Sequence, residues 1–276
     1  MKQKLMSFFL LLICFQLSAE KPIVILHTND THSQLEPYTE DDKRNVGKAG
    51  ILRREALYRT FRANNPNVLI FDDGDFVQGT PYFNFFKGDA EVLLMNYLNL
   101  DAVTLGNHEF DNGLDFLYRM LRKAKFTIVC TNYDLSKTKL RKIVKPWKII
   151  EKDGLRVGVI SANINPEGLI TRANYEGMVW LDPIQTAEER ASWLKEKKKC
   201  DMVICLSHLG LQYDDNRPDD KKLAAGTRSI DVILGGHTHT FMKEPIMVKN
   251  LDGKDVIINQ AGKGGIIVGR LDISVE

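Results

Sequence analysis

Five of the six histidines in this 276-residue chain lie in short polar clusters that follow apolar runs. These clusters are Asp30-Thr31-His32, Asn107-His108-Glu109, Ser207-His208-Leu209-Gly210 and Gly235-Gly236-His237-Thr238-His239. A fifth cluster, Asp72-Asp73-Gly74-Asp75, follows the apolar run 68–71 and adds carboxylates without a histidine. Mixed imidazole, carboxylate and amide ligands suit divalent transition metals. The pattern therefore predicts a fold that gathers five separate places in the chain around a metal site.

Apolar, β-branched runs recur along the chain and are typical of buried strands. They occupy residues 23–26, 68–71, 102–105, 126–129, 157–160, 202–206 and 230–234. Helical patterns lie between several of these runs, at 48–63, 89–99 and 112–124. A further helix is expected to begin with Asp182 as its cap and Pro183 in its first turn. This alternation of strands and helices predicts a layered α/β domain.

The pattern changes after Gly236 to short runs at 246–248, 256–258 and 266–275, which turn residues separate without room for helices. These runs predict an antiparallel tail to the sheet. The most polar segment, Gln212 to Lys222, is expected to be an exposed loop beside the entrance of the site.

Residues 1–19 have the pattern of a secretory signal peptide, with two lysines, an apolar stretch and small residues at Ser18-Ala19. Cleavage there leaves one domain, residues 20–276, exported to the periplasm or the extracellular space; lipid attachment at Cys14 is the alternative. The apolar stretch is too short to span a bilayer. The whole chain has 38 basic and 36 acidic residues, so the two leader lysines account for the entire difference. Charge therefore gives no case for a nucleic-acid polymer or a membrane surface as a partner.

The mature chain would keep three cysteines, Cys130, Cys200 and Cys205, of which the first and last lie inside apolar strand-like runs. Their number is odd, and the Cys-x-x-Cys spacing of structural metal sites does not occur. We therefore expect buried free thiols rather than disulfides.

Spacing within the clusters is compatible with metal binding. Residues two apart in an extended segment point the same way, so Asp30 and His32 can reach one ion. By the same rule His237 and His239 can reach adjacent ions. A lone His-x-His is more often a solvated loop or a satisfied core pair, but five clusters at strand exits make that interpretation unfavourable.

The remaining clusters supply complementary ligands. Asp75 is the natural bridge between two cations because a carboxylate has two oxygens, although Asp72 and Asp73 compete for this role. An acidic turn that caps the next helix is the alternative interpretation of this cluster. Asn107 offers a neutral amide oxygen, and His208, at the end of a buried strand, completes the ligand set.

These clusters also carry a resemblance to a known family. The series includes Leu26-His27-Thr28-Asn29-Asp30-Thr31-His32, Gly74-Asp75, Gly106-Asn107-His108-Glu109-Phe110-Asp111, Ser207-His208-Leu209-Gly210, Gly235-Gly236-His237-Thr238-His239, Asn259-Gln260-Ala261-Gly262 and Gly269-Arg270-Leu271-Asp272. In this order and spacing it resembles the 5′-nucleotidase family of calcineurin-like metallophosphatases, over roughly residues 22–276. The resemblance implies a four-layer α/β/β/α sandwich of two mixed sheets flanked by helices.

The resemblance also implies two divalent metal ions, drawn from Zn, Mn, Co or Fe, and a role for each matching residue. The first ion would be held by Asp30, His32, Asp75 and His239. The second would be held by Asp75, Asn107, His208 and His237, so that Asp75 bridges. His108 and Asp111 match the family's catalytic pair, and His27 matches a structural position.

The chemistry of a phosphate ester fits this arrangement. Two cations about 3.5–4 Å apart can activate a shared water, clamp phosphoryl oxygens and neutralise charge during an in-line displacement. A covalent phosphoenzyme is not needed. His108 can protonate the departing alkoxide, and Asp111, three residues on, can fix its tautomer.

The chain departs from the family pattern in several places. Ser33 stands where the family often has glycine, and His239 where many bacterial members have glutamine. Similar full-length proteins continue into a C-terminal domain that stacks the base and grips the phosphate, whereas this chain stops at Glu276. The aromatic stretch 82–86 precedes a predicted helix, and we expect it to pack in the core or between domains rather than against a base.

These expectations lead to an exported metal-dependent phosphoesterase of the 5′-nucleotidase, UDP-sugar hydrolase or 2′,3′-cyclic phosphodiesterase type. Its substrates are small phosphate esters, nucleotides above all. One alternative is a broad phosphomonoesterase or phosphodiesterase without nucleotide specificity. Another is a metal-bound subunit that is active only with a separately encoded C-terminal domain. A closed structural zinc site fits worst, because Asp, Asn and His ligands at loop tips resemble an open catalytic site.

Overall fold

The computed structural model describes residues 21–275 of the chain. The predicted signal peptide, residues 1–19, and the alternative lipidation site at Cys14 lie outside the described residues. Within the described part, no helix is both long enough and apolar enough to cross a bilayer.

Two mixed six-stranded sheets dominate residues 21–275. The first sheet has the spatial order β14 (Gly269–Val275), β1 (Lys21–Thr28), β2 (Val68–Asp72), β3 (Ala102–Val103), β4 (Ile128–Val129) and β6 (Val144–Lys145). The second has the order β12 (Ile246–Lys249), β13 (Asp255–Gln260), β11 (Val232–Gly235), β10 (Met202–His208), β8 (Leu155–Asn163) and β7 (Lys148–Lys152). A small antiparallel pair joins β5 (Tyr133–Asp134) to β9 (Val179–Trp180).

Helices cover the outer faces of both sheets. The α-helices are α1 (Ile51–Asn64), α2 (Pro81–Phe86), α3 (Asp89–Met95), α4 (Leu114–Leu121), α5 (Pro183–Glu196) and α6 (Asp220–Ala225). Short 3-10 turns occupy Asn96–Leu98, His108–Phe110, Lys139–Lys142 and Arg172–Tyr175.

The alternation of side chains along each strand produces the layers. Ile23 and Ile25 of β1 face the second sheet, where they pack in one cluster with Ile204. Leu26 points the other way and packs in the cluster that contains Tyr58 of α1. Cys205, on the outer face of β10, packs with α5 in a third cluster. The predicted four-layer α/β/β/α sandwich is confirmed.

Helix boundaries differ from prediction where the backbone takes positive φ. The pattern at 48–63 begins only at Ile51, because Ala49 and Gly50 have φ angles of 66° and 96°. The pattern at 112–124 likewise begins after Gly113, which has a φ of 82°. The predicted cap of α5 is present, since the Asp182 side chain accepts a hydrogen bond of 2.8 Å from the backbone N–H of Gln185.

The expected antiparallel tail is only partly correct. β12 and β13 are antiparallel, but β13 pairs parallel to β11, and β14 joins the first sheet beside β1. β12 carries the chain back along the sheet edge, so β13 can run parallel to β11 without a crossover helix. The last strand, β14, pairs with the first sheet and not with the second, because β1 offers it an edge that no other strand of that sheet occupies.

Two further expectations need correction. The polar segment Gln212–Lys222 is largely exposed, as expected, only as far as Arg217, because Asp219 is buried as the cap of α6 and Asp220 is fully buried at the first position of that helix. The aromatic stretch 82–86 forms its own helix, α2, in which Phe83 is buried while Phe85 is 79% exposed. The stretch is therefore a helix itself and not a segment that precedes one. Phe83 packs in the core as expected, and the exposed Phe85 is consistent with the alternative of packing between domains. The three described cysteines are buried and free, as predicted.

Candidate metal centre

The seven predicted ligands converge where the carboxyl ends of both sheets meet. Asp30 and His32 follow β1, Asp75 follows β2, Asn107 follows β3, His208 ends β10, and His237 and His239 follow β11. Contacts between the two sheets join these loops. The backbone N–H of His237 donates to Oδ2 of Asp30 over 2.8 Å, and Nδ1 of His208 lies 2.7 Å from the carbonyl oxygen of Asp73. Such an edge is the usual position of a binding site in layered α/β folds.

Asp30, His32 and His239 form the first group of donor atoms. Nε2 of His239 lies 3.3 Å from Oδ1 of Asp30 and 3.0 Å from Nε2 of His32. Nε2 of His32 is 3.8 Å from the same carboxylate oxygen. One donor atom from each residue therefore falls within 4.8 Å of the other two.

Asp75, His208 and His237 form the second group, also within 4.8 Å of one another. Nε2 of His208 lies 3.1 Å from Oδ2 of Asp75. Asp75 also groups with His32 and His108, so its carboxylate lies beside donor atoms of both groups.

Several buried atoms of the centre have no hydrogen-bond partner within the described part of the chain. They are Oδ1 of Asp30, Oδ1 of Asn107 and Nε2 of His208. A buried polar atom left without a hydrogen bond costs about 1–3 kcal/mol. Oδ1 of Asp30 and Nε2 of His208 face only other predicted ligands, at 3.1–3.8 Å, which indicates that they serve something other than the fold. Two carboxylates, one amide and four imidazoles suit divalent transition metals, and the residues present therefore fit such ions.

The backbone orients two of the imidazoles. Nδ1 of His32 lies 3.1 Å from the carbonyl oxygen of Gln78, and Nδ1 of His208 lies 2.7 Å from that of Asp73. A carbonyl oxygen only accepts, so Nδ1 donates in both cases and Nε2 is left to face the centre. Metal-ligating histidines are commonly oriented in this way.

Electrostatics around His208 are unusual for a buried histidine. Burial lowers its pKa, but the charges of Asp75 and Asp30 outweigh that effect and raise the pKa to about 10. Burial raises the pKa of Asp75, whereas His208 and the other nearby histidines bring it below its usual range. A site that attracts a proton so strongly also attracts a cation, and metal binding would displace that proton.

The loops hold the donors in strained backbone conformations. Five of the predicted ligands have φ between 48° and 69°: Asp30, His32, Asp75, His237 and His239. Residues other than glycine in this region cost on the order of 1–3 kcal/mol each and cluster at functional sites. Gly106 allows the loops to approach, because a Cβ there would overlap Oδ1 of Asp75 and lie 2.5 Å from Nε2 of His208.

His108 and Asp111 form a pair at the rim of the centre. Nδ1 of His108 lies 2.8 Å from Oδ2 of Asp111, and both side chains are about one-third exposed, at 32% and 35%. The hydrogen bond to Asp111 raises the pKa of His108 to about 9, against the lowering effect of partial burial. This hydrogen bond favours the protonated form of His108, whose ring lies 5.4 Å from that of His32.

Glu109 belongs to one of the sequence clusters but was not among the predicted site residues. Its buried carboxylate accepts backbone N–H bonds from Asp75 at 2.9 Å, Phe76 at 2.9 Å and Gly106 at 2.6 Å. Burial and the charge of Asp75 raise its pKa to about 8, while these backbone donors act in the opposite direction. Glu109 thus ties the loop after β2 to the loop after β3.

The other acidic candidates lie behind the centre. Asp72 accepts a hydrogen bond of 2.7 Å from the hydroxyl of Thr28. Asp73 pairs with His27 over 2.8 Å, and both side chains are fully buried. Neither Asp72 nor Asp73 belongs to a donor group among the described residues, so the structure does not place them as competitors of Asp75.

Comparison with known proteins agrees with this geometry. The profile of the calcineurin-like phosphoesterase family matches residues 23–241. A snake venom 5′-nucleotidase from Gloydius brevicauda is 33% identical over 271 residues, which cover 91% of this chain and 45% of that protein. The chain thus spans about half the length of the curated relatives it matches.

Solved structures with similar folds include two nucleotidases. A 5′-nucleotidase precursor from Thermus thermophilus has a TM-score of 0.78 and 34% identity, with 92% of this chain and 51% of that one covered. The NAD nucleotidase of Haemophilus influenzae has a TM-score of 0.79 and 27% identity, with 92% and 47% covered.

Proposed function

Since the chain belongs to the calcineurin-like phosphoesterase family, we propose that it hydrolyses phosphate esters of nucleotides with two divalent metal ions. The observation that carries the proposal is the convergence of the two donor groups, the second of which contains Asp75. His108 lies beside them. The similar proteins named above as nucleotidases support the choice of nucleotides as the ester class.

We propose the ligand assignment that the resemblance implies. Asp30, His32, Asp75 and His239 hold the first ion, and Asp75, Asn107, His208 and His237 hold the second. Two divalent cations on a set with two carboxylates keep two net positive charges, which balance the dianion of a phosphate monoester. When bound, such ions lower the pKa of water and neutralise phosphoryl oxygens.

The chain's own residues perform the remaining tasks. The donor groups would hold both ions at the edge shared by the two sheets, which is where the phosphoryl group would bind. His108, protonated and near Asp75, gives its Nε2 proton to the departing alkoxide oxygen. Asp111 holds Nδ1 of His108, so the proton to be transferred stays on Nε2. Acid assistance of this kind contributes about 100-fold or more.

The experiment is hydrolysis of AMP, UDP-glucose, 2′,3′-cyclic AMP and bis-p-nitrophenyl phosphate by the purified protein with Mn²⁺, Zn²⁺ or Co²⁺. Asp75→Asn and His108→Asn are expected to abolish metal-dependent turnover. Asp115→Asn, a carboxylate 77% exposed on α4, is the matched control and should leave turnover unchanged. Equal loss in all three variants, or turnover without metal, would contradict the proposal.

The same assay separates the alternatives. Comparable rates on all four esters favour a broad phosphoesterase without nucleotide specificity. A folded, metal-loaded protein that is inert alone but active with an added C-terminal nucleotidase domain would establish dependence on a partner. We also propose export of residues 20–276 after cleavage at Ala19, which the mass of the secreted protein tests; a lipid-modified Cys14 would overturn it.

A further inference from the structure

A cavity of about 310 Å³ opens next to the candidate metal centre, and we call it the side pocket. Its walls include Ile164, Asn165, Leu169, Trp180, Leu209 and Tyr213. Its volume lies at the lower end of the range of about 300–1,000 Å³ that is typical of small-molecule sites. The proposed reaction, as described so far, makes no use of it.

One wall of the side pocket adjoins the ligands directly. Leu209 follows His208 in the chain, and the hydroxyl of Tyr213 donates a hydrogen bond of 2.9 Å to the Leu209 carbonyl. Tyr213 also lies against Gly210, where an added Cβ would meet its hydroxyl and, at 2.8 Å, Cγ2 of Thr238. Thr238 stands between His237 and His239, so Gly210 packs between the pocket residue Tyr213 and the loop that carries these two ligands.

The opposite wall leads to the proposed acid. The loop of residues 164–178, which leaves β8, lines the side pocket with Ile164 and Leu169. Further along the same loop, Nδ2 of Asn174 donates a hydrogen bond of 2.8 Å to the carbonyl of Asp111. Because His108 protonates the leaving oxygen, the leaving group emerges beside this loop.

The chemistry of the walls favours a flat ring. The polar atoms of both aromatic residues are occupied, since Nε1 of Trp180 donates to the carbonyl of Asn163 over 3.0 Å and Tyr213 is held as described above. The pocket therefore offers the apolar surfaces of these two rings, together with the side chains of Glu167 and Arg217. The guanidinium of Arg217 already stacks 4.1 Å from the ring centre of Tyr213. Leu169 adds an apolar rim that is 53% exposed.

We propose that the side pocket receives a planar aromatic ring carried by the leaving group of the ester. The ring is the base of a nucleotide or the aryl group of an aryl phosphate. This inference rests on the proposed function, because a ring in the pocket contributes to the reaction only when the ester to which it belongs is bound at the metal centre. Stacking on aromatic side chains is worth about 1–3 kcal/mol per base and tolerates different bases.

Ring binding can be tested without catalysis, in EDTA, by ligand-observed NMR titration with adenosine, p-nitrophenol and ribose. Leu169→Asp places a charge at the rim and should weaken binding of the ring compounds about 10-fold, the factor given by 1.4 kcal/mol. Leu251→Asp is the matched control, since Leu251 is also 53% exposed but lies in the turn before β13, and it should change nothing. Trp180→Leu should weaken the same binding, with thermal unfolding measured to show that the variant is folded. Binding of neither ring compound, or equal weakening by both leucine variants, would overturn the inference.

Kinetics then link the pocket to the reaction. Leu169→Asp should lower kcat/KM about 10-fold for AMP, for phenyl phosphate, or for both, and leave ribose 5-phosphate unchanged. The affected ester identifies the ring as a base or an aryl group. An equal loss on ribose 5-phosphate would overturn the inference. Turnover of ribose 5-phosphate with no ring binding removes this inference alone, whereas ring binding with no turnover of any ester removes the proposed function.

Discussion

His27 and His208 lie on either side of Asp73 and are equally buried, yet their pKa values shift in opposite directions. Nδ1 of His27 lies 2.8 Å from the Asp73 carboxylate, and Nδ1 of His208 lies 2.7 Å from the Asp73 carbonyl. Burial lowers the pKa of His27 to about 3, whereas the pKa of His208 rises to about 10. The difference must therefore come from what faces the other ring nitrogen.

Nε2 has no hydrogen-bond partner among the described residues in either ring, but its surroundings differ. Nε2 of His27 faces Gly269 of β14, where even one added Cβ would overlap it. Nε2 of His208 faces two carboxylates, Asp75 at 3.1 Å and Asp30 at 3.8 Å. Burial alone does not make a histidine a candidate ligand; unpaired acidic oxygens aimed at its free nitrogen do.

The strongest way to break this comparison is His208→Asn. We expect kcat/KM to fall by about 1,000-fold or more, because several kcal/mol of charge stabilisation depend on the second donor group and each 1.36 kcal/mol is tenfold. Steady-state kinetics and the metal content by mass spectrometry measure the loss. A variant that keeps two metal ions and full activity would show that His208 is not a ligand.

Glu109→Gln tests what holds Asp75, one of the two carboxylates that face His208, in place. The amide would turn its own N–H group toward backbone N–H groups whose hydrogen bonds the carboxylate now accepts. The loop that carries Asp75 should therefore be held less firmly in place. We expect affinity for Mn²⁺ to fall by about 10–100-fold, as for other residues that orient metal ligands, with a smaller effect on kcat at saturating metal.

The matched control for Glu109 is Glu188→Gln. The Glu188 carboxylate also holds a loop, through backbone N–H bonds of 2.8 Å from Arg228 and 3.1 Å from Ser229, but away from the centre. The Glu188→Gln variant should leave the affinity for Mn²⁺ unchanged. Equal losses of affinity in both variants would mean that Glu109 acts through general stability and not through Asp75.

For the other histidine of the comparison, His27→Leu should lower the stability of the fold and leave metal binding unchanged. Removing the imidazole leaves the buried Asp73 carboxyl without its partner, which costs about 1–3 kcal/mol in the free energy of unfolding. Urea denaturation in EDTA measures this cost, and the metal content should stay that of the unmodified protein. Loss of metal with unchanged stability would place His27 in the centre.

The sequence predicted the layered α/β arrangement and the strand exits because both depend on local pattern, whereas the four-layer order came from the family resemblance. Apolar runs followed by polar clusters mark buried strands and their exits, and the convergence of Asp30, Asp75 and His208 follows from strands that end at one edge. The cap at Asp182 was also predictable from its immediate neighbours.

What could not be predicted depends on contacts between distant segments. Asp75 and Glu109 are 34 residues apart, and only the neighbouring positions of β2 and β3 bring them together. The parallel pairing of β13 depends on the return path through β12, which turn residues alone do not reveal. The side pocket likewise forms between loops that follow β8 and β10, two parallel neighbours far apart in the chain.

The smallest expected effect concerns His108, a partly exposed histidine that extends the comparison to the rim of the centre. Its hydrogen bond to Asp111 raises the pKa of His108 to about 9, so an acid role predicts that activity falls as pH rises and the proton is lost. The positive charge of bound cations lowers this pKa, so the alkaline limb should lie at or below pH 9. Asp111→Asn removes the largest cause of the rise, and the limb should move toward the ordinary value of 6.5. At pH 7.5, one unit above that value, this amounts to a loss of about 10-fold in kcat. The profile should be measured with an alkyl ester and with p-nitrophenyl phosphate, whose leaving group needs little protonation. A shift of equal size on both esters would contradict proton donation by His108 and leave it only a role in holding charge.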